Sequence, residues 1–229
     1  MFRHTLVKTI MAVAGIVLAA AVSTASVAAP ITTLFNTGTD AANSAAAVSN
    51  NATELHYSLI SVPAGETTNV RVATAANGFP VAPGGPWLGV NGVSNWIGLN
   101  TTTELTGLAG TYIYRLSFSL TGLNAATASI TGQWAADNTG SNIRLNGVST
   151  GNTASGFTAF TPFSLTSGFV TGANTLDFVV NNIDGPTGLR VELSGTATPA
   201  GVTAAPEPAS FLVLTMALAG LQVIRRRRA

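Results

Sequence analysis

The residue types that carry chemistry are few in this chain. Cysteine is absent, which removes disulfides, thiolate metal sites and a cysteine nucleophile. His56 is the only histidine beyond the N-terminal segment, so a histidine-centred triad or a multi-histidine zinc site has no partners to draw on. The alternation around His56 predicts a solvent-facing position. Carboxylates are better supplied: Asp40, Glu54, Glu66, Glu104, Asp137, Asp177, Asp184 and Glu192. A glycosidase sets two such groups at a fixed spacing across a cleft. Here they are scattered over turns and outward strand positions, the pattern of a solvated surface.

Two segments, Asp137-Asn138 and Asn181-Asn182-Ile183-Asp184, are oxygen-rich turns. Calcium takes ligands of this kind, so a structural ion at Asp137 and Asp184 is one reading. The other is ordinary turn chemistry, in which Asp and Asn side chains bond nearby backbone groups. No other cofactor is expected. Among the tryptophans, Trp134 is in register with Ile130 and reads as core. Trp87 follows Gly84-Gly85-Pro86, and Trp96 follows Asn95, so both lie near loops. Exposed at a rim, either would stack on a sugar ring; packed beneath a loop, neither would. The threonines form no regular grid, which argues against an ice-binding array.

Charge separates the chain into unlike parts. Arg3, Lys8 and Arg225, Arg226, Arg227 and Arg228 lie near the two ends. Between them stand only Arg71, Arg115, Arg144 and Arg190, four positive charges against the eight carboxylates named above, for a net charge of −4. A phosphate-binding surface needs clustered Lys and Arg, so no nucleic-acid partner is expected.

The ends have a distinct logic. Arg3 and Lys8 precede an apolar stretch from Thr9 to Val22, and Ser26-Val27-Ala28 offers the small residues of a signal-peptidase site. Cleavage is expected after Ala28, which leaves Ala29 first; cleavage after Ala29 would set Pro30 beside the scissile bond. Export would run through the Sec translocon and signal peptidase. At the other end, Pro206-Glu207-Pro208 leads into an apolar run from Ala209 to Ile224 and then the four arginines. Sixteen helical residues span about 24 Å, short of the ~30 Å hydrocarbon core. The arginines hold that end on the cytoplasmic side. The prolines keep the preceding chain extended, where a processing enzyme can grip it.

This tail resembles the PEP-CTERM sorting signal of Gram-negative bacteria that make extracellular polysaccharide. The resemblance covers about twenty-four residues and carries all three elements in order. It implies recognition of Pro206, Glu207 and Pro208 by an exosortase, a membrane-embedded cysteine transpeptidase-like enzyme. The arginines would act as a transient anchor, and the protein would pass to the cell surface or extracellular matrix.

The middle reads as strands. Tyr112, Tyr114, Leu116, Phe118 and Leu120 share one face of a strand. Leu55, Tyr57 and Leu59 alternate with His56 and Ser58, and Val70 and Val72 flank Arg71. Ile143 and Leu145 flank Arg144. Leu176, Phe178 and Val180 alternate with Asp177 and Val179, and Leu189, Val191 and Leu193 with Arg190 and Glu192. Asn77-Gly78, Asn91-Gly92 and Asn146-Gly147 supply turn residues tolerant of positive φ. With no βαβ rhythm, the expected fold is all-β: an antiparallel β-sandwich, or jelly roll, flanked by a signal helix and a short hydrophobic C-terminal helix.

The block from Pro86 to Ala197 also resembles a β-sandwich module common among PEP-CTERM proteins, and more distantly the galactose-binding-like jelly rolls attached to glycosidases. The resemblance rests on Asn95-Trp96-Ile97, Gly132-Gln133-Trp134, Ile143-Arg144-Leu145-Asn146-Gly147 and Gly172-Ala173-Asn174 before its hydrophobic strand. It speaks to fold and leaves the ligand open, since such folds carry binding residues in variable loops.

The expected organisation is a signal peptide over 1–28, an entry strand and loop over 29–50, and a sandwich domain over 51–198. A linker over 199–205 and a sorting signal over 206–229 complete it. The expected function is that of a non-enzymatic surface or matrix protein associated with exopolysaccharide and biofilm. Two alternatives stand beside it: a carbohydrate-active enzyme or its sugar-binding accessory module, and a purely structural matrix component.

Overall fold

A computed structural model describes residues 27–99 and 104–201. The expected signal segment up to Ser26 and the whole sorting signal, with Pro206, Glu207, Pro208 and Arg225 to Arg228, lie outside the described residues. So do the two expected flanking helices.

Eleven strands follow one another in the described chain: β1 (Ala29–Pro30), β2 (Tyr57–Ser61), β3 (Val70–Ala73), β4 (Trp96–Leu99), β5 (Gly110–Ser119), β6 (Ser129–Asp137), β7 (Thr139–Leu145), β8 (Val148–Ser149), β9 (Thr161–Leu165), β10 (Ala173–Asn182) and β11 (Gly188–Ala197). The described helical turns, Ala75–Asn77 and Ala125–Thr127, are 3-10. Among the described residues no helix is long and apolar enough to cross a membrane.

The strands form two antiparallel sheets. The first runs β3-β4-β11-β6-β9, with β1 also paired to β11; the second runs β2-β5-β10-β7-β8. From β4 to β7 and again from β8 to β11, successive strands alternate between the sheets, as in a jelly roll. The fold is the all-β antiparallel sandwich that the alternating sequence predicts.

Period-two patterning explains the core. In β5, Tyr112, Tyr114, Leu116 and Phe118 are buried while Arg115 and Ser117 point outward. Leu176, Phe178 and Val180 of β10 and Leu189, Val191 and Leu193 of β11 meet them from neighbouring strands and the facing sheet. Trp134 lies in this core, edge-on to Phe178 at 5.5 Å between ring centroids. The turn from β7 to β8 uses Asn146 at φ 52° and Gly147 at φ 81°. Both central residues are left-handed, as a tight hairpin between right-twisted strands requires.

Two local expectations are corrected. Leu55 is exposed, because β2 begins only at Tyr57. The preceding turn closes on the Glu54 carboxylate, which accepts from the amides of His56 and Tyr57. His56 does not face open solvent. It is half-buried, stacked on Phe35 with ring centroids 3.8 Å apart, and its Nε2 is bonded to the Asp40 carbonyl.

A second, smaller apolar cluster lies on the outer side of the first sheet. Trp96 of β4 and Ala135 of β6 point outward there and are covered by the loop carrying Val81 and Trp87, with Phe157 and Phe160 packed against them. This extra layer covers part of that sheet face and leaves a strip of it open.

Candidate ligand-binding surface

The tryptophans singled out as stacking candidates belong to that second cluster. Trp87 is 4% exposed and Trp96 is 0% exposed. Their rings pack together with centroids 4.2 Å apart, and each indole N–H is spent internally, Trp87 on Asp137 and Trp96 on the Leu88 carbonyl. Neither offers a face to a sugar. The loop after Gly84-Gly85-Pro86 folds back over β4 and β11, which turns a rim position into a buried one.

Asp137, at the end of β6, is buried beneath the same loop. Its Oδ2 accepts from Trp87 Nε1 at 2.6 Å, and its Oδ1 has no partner. Burial pushes its carboxyl up to about 6; the indole bond opposes the rise and the charge of Asp184 adds to it. Asp184 is exposed in the turn between β10 and β11. Among the described residues no three His, Asp or Glu side chains form a group able to hold a metal. Calcium takes six to eight oxygens, so an ion at Asp137 and Asp184 would draw further ligands from groups other than these two carboxylates.

The open strip of the first sheet is built by cross-strand pairs. Glu192 of β11 stands opposite Gln133 of β6, and Ser194 opposite Thr131. Gln133 Nε2 donates to Glu192 Oε2 at 2.8 Å, while Glu192 Oε1 accepts from Asn91 Nδ2 and Ser94 Oγ. Burial alone would raise Glu192; the donors Gln133, Asn91 and Ser94, and the charge of Arg190, outweigh it and hold the carboxyl below its usual range. Glu192 therefore stays ionised at neutral pH, with the Arg190 cation beside it.

Arg190 organises this cluster from behind. It is fully buried, yet Nε donates to Ser94 Oγ, Nη1 to the carbonyls of Leu88 and Gly89, and Nη2 to Asn91 Oδ1. Its guanidinium also lies 4.9 Å from the Phe160 ring centroid, a cation–π contact. One cation thereby clamps the 88–94 loop to β11.

The result is an open cleft of about 420 Å³ lined by Asn36, Val93, Thr131, Gln133, Glu192 and Ser194, among others. It meets a second cleft of about 350 Å³ at Leu193 and Ser194, where Ile31, Leu34 and Ala42 make the lining more apolar. Thr131 and Ser194 are exposed, and their hydroxyls face solvent beside the fixed amide of Gln133. Such a surface can exchange hydrogen bonds with a polyhydroxylated ligand without rearranging. Sequence alternation marks Arg190 and Glu192 as outward residues, but their pairing with β6 and the covering loop is a long-range matter that periodicity does not carry.

No protein-family model matches the chain, and no curated protein does. Among solved structures, the chain is similar to the CBM36-1 domain of a multidomain xylanase from the hindgut metagenome of Trinervitermes trinervoides. The two share 12% identity over 48% of this chain and 84% of that one, with a TM-score of 0.31.

Proposed function

We propose that this chain is an exported surface or extracellular-matrix protein whose sandwich domain holds polysaccharide without cleaving it. The Glu192–Gln133 cleft is its contact surface. Export and sorting follow from the terminal segments: removal of the signal after Ala28 by signal peptidase, and processing at Pro206-Glu207-Pro208 by an exosortase. The observation that supports glycan binding is the rigid polar array on the open sheet face, in which Arg190 fixes Glu192 and the 88–94 loop before any ligand arrives. Preorganised polar groups avoid the entropy that a ligand would otherwise have to offset.

The test has two parts. Mass spectrometry of the secreted protein is expected to find Ala29 at the N-terminus and an end near Pro206; an intact full-length chain in the cytosol would overturn the export reading. Pull-down with the producing cell's own exopolysaccharide is expected to succeed and to be lost in a Thr131→Ala/Gln133→Ala double variant. Undiminished binding by that variant would discard the cleft. Glycan hydrolysis lost on changing one carboxylate would replace the binding reading with an enzymatic one.

A further inference from the structure

The second sheet presents a charged row that has no part in the cleft just described. Its in-register cross-strand neighbours run Ser58, Arg115, Asp177, Arg144 and Ser149, across β2, β5, β10, β7 and β8. All belong to the outer face, since the residues flanking Arg115 and Arg144 in β5 and β7 point into the core. These are the only charged residues in the strands of that sheet; the other seven carboxylates between residues 30 and 205 lie elsewhere.

One aspartate here has an arginine in register on either side. Asp177 is engaged bidentately by Arg115, Nε to Oδ1 at 2.6 Å and Nη2 to Oδ2 at 2.8 Å. That bond raises Arg115 above its usual value, so the guanidinium stays charged. Arg144, on the other side of Asp177, is half-buried, and its guanidinium has no hydrogen-bonding partner among the described residues. The row thus keeps one positive charge in a middle region whose net charge is −4. Strands two apart are separated by roughly 10 Å, within reach of two long side chains converging on one anion.

We infer that this row is a second binding site, for a carboxylated sugar unit of an acidic polysaccharide. Arg144 supplies a free planar fork that matches a carboxylate. Arg115, already oriented and neutralised by Asp177, has a remaining N–H donor to offer, and Ser58 and Ser149 flank the pair with hydroxyls. An ammonium in place of Arg144 would keep the charge and lose the fork. Because the site lies on the sheet opposite the Glu192 cleft, it stands or falls independently of the function proposed above.

The experiment uses the mature secreted protein with polygalacturonate oligomers as the acidic probe and dextran as the neutral one. The expected result is polygalacturonate binding that weakens as salt rises and is reduced roughly tenfold in Arg144→Gln, the loss of one charge-assisted contact, with an unchanged melting temperature. Asp177→Asn, which unmasks the second guanidinium, is expected to tighten binding if it folds, and Arg144→Lys to recover only part of it. No binding of polygalacturonate, affinity indifferent to salt, or full binding by Arg144→Gln would each overturn the site. Loss of polygalacturonate binding in the Thr131→Ala/Gln133→Ala variant but not in Arg144→Gln would assign the acidic glycan to the other cleft and leave only that reading standing.

Discussion

Nε1 of Trp87 donates to Oδ2 of Asp137 over 2.6 Å, which ties the covering loop to the end of β6 through one buried carboxyl. The folded protein holds that carboxyl's proton more tightly than an unfolded chain would, with a pKa raised to about 6 by burial. The stability this proton lends is complete below about pH 4 and is lost as pH climbs through about 6, on the order of 2–3 kcal/mol in all. Asp137→Asn keeps an acceptor for the indole and removes the charge. It should melt higher than the parent at pH 7.5, by roughly 5 °C, and no higher at pH 4. An equal shift at both pH values would show that ionisation of Asp137 is not the cause.

Arg190→Met is expected to destabilise by about 3–5 kcal/mol despite its similar length, because Ser94, Asn91 and two loop carbonyls lose their donor. Glu192 would also lose its counter-charge. Urea denaturation measures the loss, and hydrogen exchange should localise it to the 88–94 loop. A Lys at 190 is not expected to rescue, since an ammonium lacks the spread of donors.

Gly140 of β7 has no room for a side chain, for a Cβ there would clash with the six-membered ring of Trp134. Gly140→Ala should therefore cost about 3 kcal/mol or more. Trp134→Phe removes the clashing atoms, and because the Trp134 N–H has no partner it sacrifices no hydrogen bond. The double variant should recover part of the loss, a coupling that a thermodynamic cycle measures directly. Strict additivity would show that the ring contact is not the reason for glycine.

Tyr57 donates its hydroxyl to the Phe35 carbonyl at 2.8 Å, holding the 31–45 segment against β2. Tyr57→Phe should lower stability by about 1 kcal/mol and raise hydrogen exchange in that segment while the sheets stay protected.

What the sequence made legible followed from period two. The run from Tyr112 to Phe118, the alternation of Leu189, Val191 and Leu193, and the Asn146-Gly147 turn all announce themselves within a few residues. Residues whose surroundings come from far along the chain were not readable. Arg190 alternates outward as expected, yet is fully buried because the 80–95 loop and Phe160 cover it. Trp87 and Trp96 look like rim residues beside their loops, and the same cover removes them from solvent. His56 was misplaced for a local reason: Glu54 captures two amides and delays the strand by two residues. The Arg115–Asp177–Arg144 row needs three strands in register, and no single segment states that register.

The last strand of the domain is the innermost of its sheet. Before β11 emerges, that sheet can exist only as two separate ribbons, β3 with β4 and β6 with β9, and two-stranded ribbons are marginal in water. In a chain delivered from its N-terminus, this sheet thus gains little lasting order until the final wedge of ten residues slides between them. Losing even part of Gly188–Ala197 would split the sheet down its middle instead of trimming an edge.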